Sequence, residues 1–228
     1  MVEFYNMYWE IWFNMNEDIS IINKNTRNER IKNFFINNKK NLIILLTIII
    51  LIVFGYFAYE EVQNKKKIQL AEKYNSISNK FISNNQANIK KDLIEIIYEK
   101  DTTYSPLALY FILDNELIRE QNKINKYFDI VINIGSLEKE IKNLNIYKKA
   151  IYNSNFVEET ELVKILRPVT NSNSIWKSHS LFLLAEFFYF KKNKEESKKL
   201  LNEIINYENS NLEIKLEAQK KLTRDFSE

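Results

Sequence analysis

The sequence predicts an all-α protein, with one N-terminal transmembrane helix followed by a solenoid of short helix pairs. Three observations carry this reading. The run Leu42–Tyr59 contains no charged residue and has lysines close on both sides. Only two glycines and two prolines occur in 228 residues. The rest of the chain repeats apolar residues at helical spacing, in segments separated by short polar connections. Glycine scarcity matters because hairpins and tight turns draw on it for positive φ.

The span comes first. Leu42–Tyr59 reads LIILLTIIILIVFGYFAY. A helix crossing a bilayer core needs roughly 20 mostly apolar residues, with about 17 as the lower end. The membrane-spanning residues are taken to include Leu42, Ile43, Ile44, Leu45, Leu46, Ile49, Leu51, Val53, Phe54, Gly55, Tyr56, Phe57 and Tyr59. A core helix of an amphipathic domain would carry a polar stripe, and this run has none. A cleaved signal peptide would have a shorter apolar stretch of about 7–15 residues and small residues at its cleavage site. Here the run begins late and ends Gly55-Tyr56-Phe57-Ala58-Tyr59, so it reads as an uncleaved signal anchor. Its aromatic end suits a headgroup region. The expected organisation is an N-terminal arm over 1–41, a transmembrane helix over 42–59 and a helical-repeat domain over 60–228. Arg27, Arg30, Lys32, Lys39 and Lys40 precede the span and Lys65, Lys66, Lys67 and Lys73 follow it. This near tie leaves orientation open on charge alone.

Composition narrows the chemistry. With no cysteine there is no disulfide, thiolate metal site or cysteine nucleophile. The net charge is +3, with acids and bases interspersed, which speaks against nucleic acid as a partner. Glycines at 55 and 135 cannot build a phosphate-binding loop. His179 is the only histidine and lies in an apolar helix, where it reads as a packed residue. Glu158, Glu159 and Glu161 cluster at a helix start, where they complement the helix dipole. Lys191, Lys192 and Lys194 sit at a helix end and its turn, again favourable to the dipole. The sequence therefore predicts no enzyme, no catalytic residue, no metal and no cofactor.

The helices follow in order. Ile68, Ala71, Tyr74, Ile77 and Phe81 make one face of a helix that runs on from the span. A second helix over about Ala87–Glu99 carries Ile89, Leu93, Ile96 and Ile97, and Asp101-Thr102-Thr103 forms a turn. Pro106 falls in the first turn of the next helix, whose apolar residues are Leu107, Ala108, Tyr110, Phe111, Leu113 and Leu117. After a polar break at Glu120–Lys123, Ile124, Phe128, Val131 and Ile132 make a fourth face. Leu137–Tyr152 presents Leu144, Tyr147, Ala150 and Ile151. Glu158–Leu166 is expected to stop at Arg167-Pro168, and Ser174 to cap the helix Trp176–Phe190. Lys194–Tyr207 pairs with that helix, and Leu212–Leu222 closes the chain. Trp176, Phe182, Phe187, Phe188, Tyr189 and Phe190 wrap more than one face, which fits either burial against a neighbouring repeat or a partner surface.

Units of roughly 30–40 residues are the range of helical solenoids. The clearest unit is Leu181–Asn209. Leu184, Ala185, Phe188, Ser197, Leu201 and Ile204 are its repeat-packing residues, at spacings that resemble the tetratricopeptide signature. Ala185 and Ser197 take the small positions where two helices cross, and Phe188 and Leu201 fill the groove between them. Ile204 replaces the usual small residue, so the resemblance is to a degenerate tetratricopeptide-like array.

In Met1–Asn16, Tyr5, Tyr8, Trp9 and Trp12 would share a helical face suited to a membrane interface. Translation from Met15 is the alternative.

Arg30-Ile31-Lys32-Asn33-Phe34-Phe35, then Asn37–Asn41 and the span, resemble the start of the bacterial ancillary SecYEG translocon subunit family (YfgM-like). Thr102-Thr103-Tyr104 through Leu109, Leu166–Leu201 and Leu212–Leu222 resemble its later helices. Ile124–Ile165 matches poorly. The resemblance implies a single-pass protein of the bacterial inner membrane. Its N-terminus would be cytoplasmic and its domain periplasmic, beside the SecYEG translocon. It would hand secreted chains to periplasmic chaperones, with nascent secreted chains or those chaperones as partners. Nothing in the sequence excludes a homo-oligomer. The rival reading is an oligomeric cell-envelope scaffold, in division or wall assembly, unrelated to secretion.

Overall fold

The computed structural model describes the backbone of residues 2–82 and 88–226, and the side chains of 26–81 and 88–226. Among the described residues there is no strand. The helices are α1 (Val2–Ile82), α2 (Ile89–Tyr98), α3 (Tyr104–Asp114), α4 (Gln121–Ile132), α5 (Lys139–Asn153), α6 (Glu159–Thr170), α7 (Lys177–Phe190), α8 (Lys194–Asn206) and α9 (Leu212–Phe226). The chain divides into two compact units, Met1–Lys65 and Lys66–Glu228, and α1 contributes to both. The aromatic face expected in Met1–Asn16 lies outside the described side chains.

The first unit is helix alone. Its most apolar stretch of 18 residues has a mean hydropathy of 2.8, and none of it is buried. It is long and apolar enough to cross a membrane. Ile43 through Tyr59 stand open on every side, which in water would leave a large apolar surface unsatisfied. Thr47 disposes of its hydroxyl by donating to the Ile43 carbonyl at 2.9 Å. A Cβ on Gly55 would meet nothing, so this glycine serves no close contact within the chain.

The second unit is a zigzag of helices in two layers. From α2 onward neighbours in sequence pack side by side, and α2 meets α4, α5 meets α7 and α7 meets α9 within a layer. On the odd layer, Tyr74 of α1 meets Phe111 of α3, and Tyr110 of α3 reaches Asn145 of α5. Tyr147 of α5 stacks on Trp176 at the head of α7, and Tyr189 of α7 meets Phe226 of α9. On the even layer, Tyr98 of α2 meets Tyr127 of α4.

The core falls into two clusters. One is built on Leu93, Ile96, Leu109, Ile112, Ile124 and Phe128, the other on Leu162, Leu166, Leu184, Ala185, Leu201 and Ile204. Each fully buried Leu, Ile or Phe contributes about 1.5–3 kcal/mol. Buried asparagines of α5 lie between them. Asn153 exchanges side-chain amide bonds with Asn125 of α4 at 2.7 and 2.9 Å and accepts from Gln121 at 3.1 Å. Asn145 accepts from the Tyr110 hydroxyl at 3.0 Å.

Several sequence expectations are corrected. In α1 the inward stripe is Leu70, Tyr74, Ile77 and Phe81, while Ile68 is exposed. Spacings of four, three and four keep that stripe on one face, and Ile68 falls opposite. In α3, Leu109 and Ile112 are buried along with Ser105, Pro106 and Ala108, and Leu107 is exposed. Ile151 of α5 is exposed as well. Pro168 does not stop α6, which continues to Thr170. Pro168 faces solvent in the last turn, where its missing N–H orphans a carbonyl that water can reach. Burial of Leu166 and Val169 draws the turn through. Ser174 is not the N-cap of α7. Trp176 holds that place, and the Ser174 hydroxyl accepts the Trp176 N–H at 3.1 Å while donating to Glu140 at 2.6 Å.

With glycine so scarce, other residues take the left-handed positions at helix ends. Lys100, Glu116 and Lys192 have φ of 54°, 46° and 66°. After Glu116 and Lys192 the chain closes back through Leu117 N–H to Ile112 O and Asn193 N–H to Phe188 O, the Schellman pattern.

Candidate functional site

Two clefts open along the odd layer, at the C-terminal ends of α3, α5 and α7. The first has a volume of about 480 Å³. It is lined by Leu113, Glu116, Ile118, Arg119, Lys148, Ile151, Tyr152 and Phe156. The second, about 470 Å³, runs from Ser154, Asn155 and Val157 to Leu183, Glu186, Phe187, Phe190 and Lys191. The turn after α5 divides them, with Phe156 on one side and Val157 on the other.

Local sequence explains the openings. The turn after Asn153 is short, so Phe156 has no helix to pack into and stands 61% exposed. Phe190 is the last residue of α7, beyond the reach of α8, and is 83% exposed. Large apolar side chains exposed on concave ground are the usual mark of a partner surface.

The charges at the rim are mostly matched. Glu116 pairs with Arg119 at 3.1 Å, and Glu186 with Lys221 at 2.7 Å. Lys191 reaches Glu158 only at 3.9 Å. Lys148 rests over the Tyr110 ring, 4.4 Å from its centroid. Burial pushes the Tyr110 hydroxyl up to about 12, so the ring stays neutral and electron-rich under that ammonium.

The residues read as repeat-packing lie together. Leu184, Ala185 and Phe188 of α7 and Ser197, Leu201 and Ile204 of α8 are all buried. The Ser197 hydroxyl donates to the Ala185 carbonyl at 2.8 Å. Ser105 of α3 makes the same kind of bond to the Ile96 carbonyl of α2, also at 2.8 Å. The residues read as spanning all lie in the first unit, exposed except for the half-buried Leu42.

No group of three His, Cys, Asp or Glu side chains among the described residues could hold a metal. His179 lies between Trp176 and Tyr147, at 5.2 and 6.0 Å between ring centres, and burial lowers its pKa. It faces neither cleft.

Residues 32–117 match the tetratricopeptide repeat-like domain family. The matched stretch takes in α1 from residue 32 onward, with the apolar run, then α2 and α3, and ends at the wall of the first cleft. The α7–α8 pair, where the repeat spacing is clearest, lies outside it. No curated protein and no solved structure matches the chain. The tetratricopeptide repeat-like fold is a protein-interaction scaffold, in which stacked helix pairs offer an extended surface to a partner.

Sequence reasoning did not find the clefts. Ile151 reads as part of an apolar helix face, and Phe156 carries no periodic signal in the turn after α5; the structure leaves both exposed.

Proposed function

We propose that this chain is a membrane-anchored protein-binding module. The helix 42–59 spans the bilayer, 1–41 forms an arm on one side, and 60–228 forms a helical-repeat domain that takes polypeptide segments in the clefts of α3, α5 and α7. The observation that carries the reading is the pairing of an entirely exposed apolar helix with a tetratricopeptide repeat-like stretch. Tethering raises the local concentration of a weak binder near its targets, so shallow clefts suffice.

The finer reading rests on the resemblance to the ancillary translocon subunits. It places the protein in the bacterial inner membrane beside SecYEG, with a cytoplasmic N-terminus and a periplasmic domain. The clefts then receive nascent secreted chains or periplasmic chaperones. The absence of cysteine makes topology simple to test. Single substitutions Asn28→Cys and Asn209→Cys are exposed to a membrane-impermeant maleimide in intact cells. Labelling at 209 and not at 28 supports the orientation, and the reverse refutes it. A photocrosslinker in place of Tyr56 tests the neighbour. Adducts with channel subunits support the Sec assignment, and adducts with division or wall-assembly proteins turn it to the envelope scaffold.

A further inference from the structure

Resting on the peptide-binding reading, we propose that the first cleft selects segments that combine a large apolar side chain with an acidic one. The two carboxylates that line the clefts are each engaged, Glu116 by Arg119 and Glu186 by Lys221. No carboxylate among the described residues pairs with Lys148. Its ammonium instead lies over Tyr110 at 4.4 Å, and the Lys148 side chain lines a cleft whose apolar walls are Leu113, Ile118, Ile151, Tyr152 and Phe156.

That ammonium is held in place before any partner arrives. Tyr110 donates to Asn145 Oδ1 at 3.0 Å, and Asn145 Nδ2 donates to the Ile141 carbonyl at 2.8 Å. The ring is thus fixed by α5, the same helix that bears Lys148. A positioned cation loses little side-chain freedom on binding, and a carboxylate meeting it beside apolar walls is screened less than at open surface. A basic segment would meet Lys148 and Arg119 with no free acid to answer it, a penalty that enforces choice. The occupant is therefore an acidic, aromatic-bearing segment of another protein. Phe or Leu enters against Ile151 and Phe156, and Asp or Glu reaches Lys148.

The test uses the full chain in nanodiscs and fluorescein-labelled peptides of one design: alternating Phe, Leu and Glu, a twin with Lys for Glu, and a twin with Ser for Phe and Leu. Fluorescence anisotropy should show the first binding at least tenfold tighter than either twin. Lys148→Met, which keeps the packing, should erase the preference for Glu over Lys, and Phe156→Ser should weaken both apolar peptides. Equal binding of the Glu and Lys peptides, or a preference that survives Lys148→Met, overturns this inference and leaves the peptide-binding reading standing. No binding by any probe, with polypeptide still crosslinked from position 156 in cells, also overturns it alone. No binding and no crosslinks overturns both readings. Crosslinks from 156 that join two copies of this chain overturn the proposal in favour of self-association.

Discussion

The Ser197 hydroxyl donates a 2.8 Å hydrogen bond to the Ala185 carbonyl across the α7–α8 crossing, with both residues fully buried. A larger side chain at either position would force the helices apart. The bond gives a hydroxyl at a tight crossing the partner it needs. Ser197→Ala should cost about 1 kcal/mol, the net worth of a buried hydrogen bond, because the carbonyl keeps its helical partner. Ser197→Leu should cost about 1–3 kcal/mol or more through overpacking. Urea unfolding of the full chain in detergent, followed by circular dichroism, separates the two.

Asn153 should behave as one half of a unit with Asn125. Replacing Asn153 by Leu strands the Asn125 and Gln121 amides beside the core, at about 1–3 kcal/mol. Replacing both asparagines by Leu should recover part of that loss. A double-mutant cycle reading a coupling of about 1 kcal/mol or more supports the pairing, and strict additivity refutes it.

Lys192 stands where glycine is at home, with φ 66° between α7 and α8. Lys192→Gly should stabilise the fold by about 0.5–1 kcal/mol, the relieved left-handed strain less the added freedom of the unfolded chain. A rise in the unfolding midpoint with an unchanged slope is the expected result.

Tyr110 supplies a pH signature. Its folded pKa is raised by burial to about 12, against an ordinary value of 10.0. The neutral phenol is the favoured folded form, so its contribution is full below pH 10. It falls away as pH climbs from 10 to 12, by a loss on the order of 2 kcal/mol. Phenolate absorbance should show a group titrating near pH 12 that disappears in Tyr110→Phe. Asp225 has the opposite sign. Arg224, then Lys221, hold its carboxyl well below the usual range, so its contribution exists above about pH 4 and is lost as acid carries pH down through the folded value.

Much of the fold was legible because apolar spacing dominates it. The face of α2 is legible, since Ile89, Leu93, Ile96 and Ile97 are its buried residues, with Ile94 packing half-buried beside them. In α3 nearly every residue is apolar, so period could not separate exposed Leu107 from buried Leu109. The asparagine seam was hidden by composition, because asparagine is common everywhere in the chain and those at 145 and 153 carry no distinguishing neighbour. Pro168 misled because its outward direction, not its presence, decides whether a helix ends. The clefts depend on which faces of α3, α5 and α7 remain uncovered, a property of packing that a one-dimensional pattern does not contain.

Polypeptide binding on the α3–α5–α7 side of the domain is the proposal on which the rest depends. Its most direct test places a photocrosslinking amino acid at Phe156, in the first cleft, and at Tyr98, exposed on the even layer. Adducts with other polypeptides should form from 156 and few from 98. Adducts equal at both positions, or confined to 98, would contradict it.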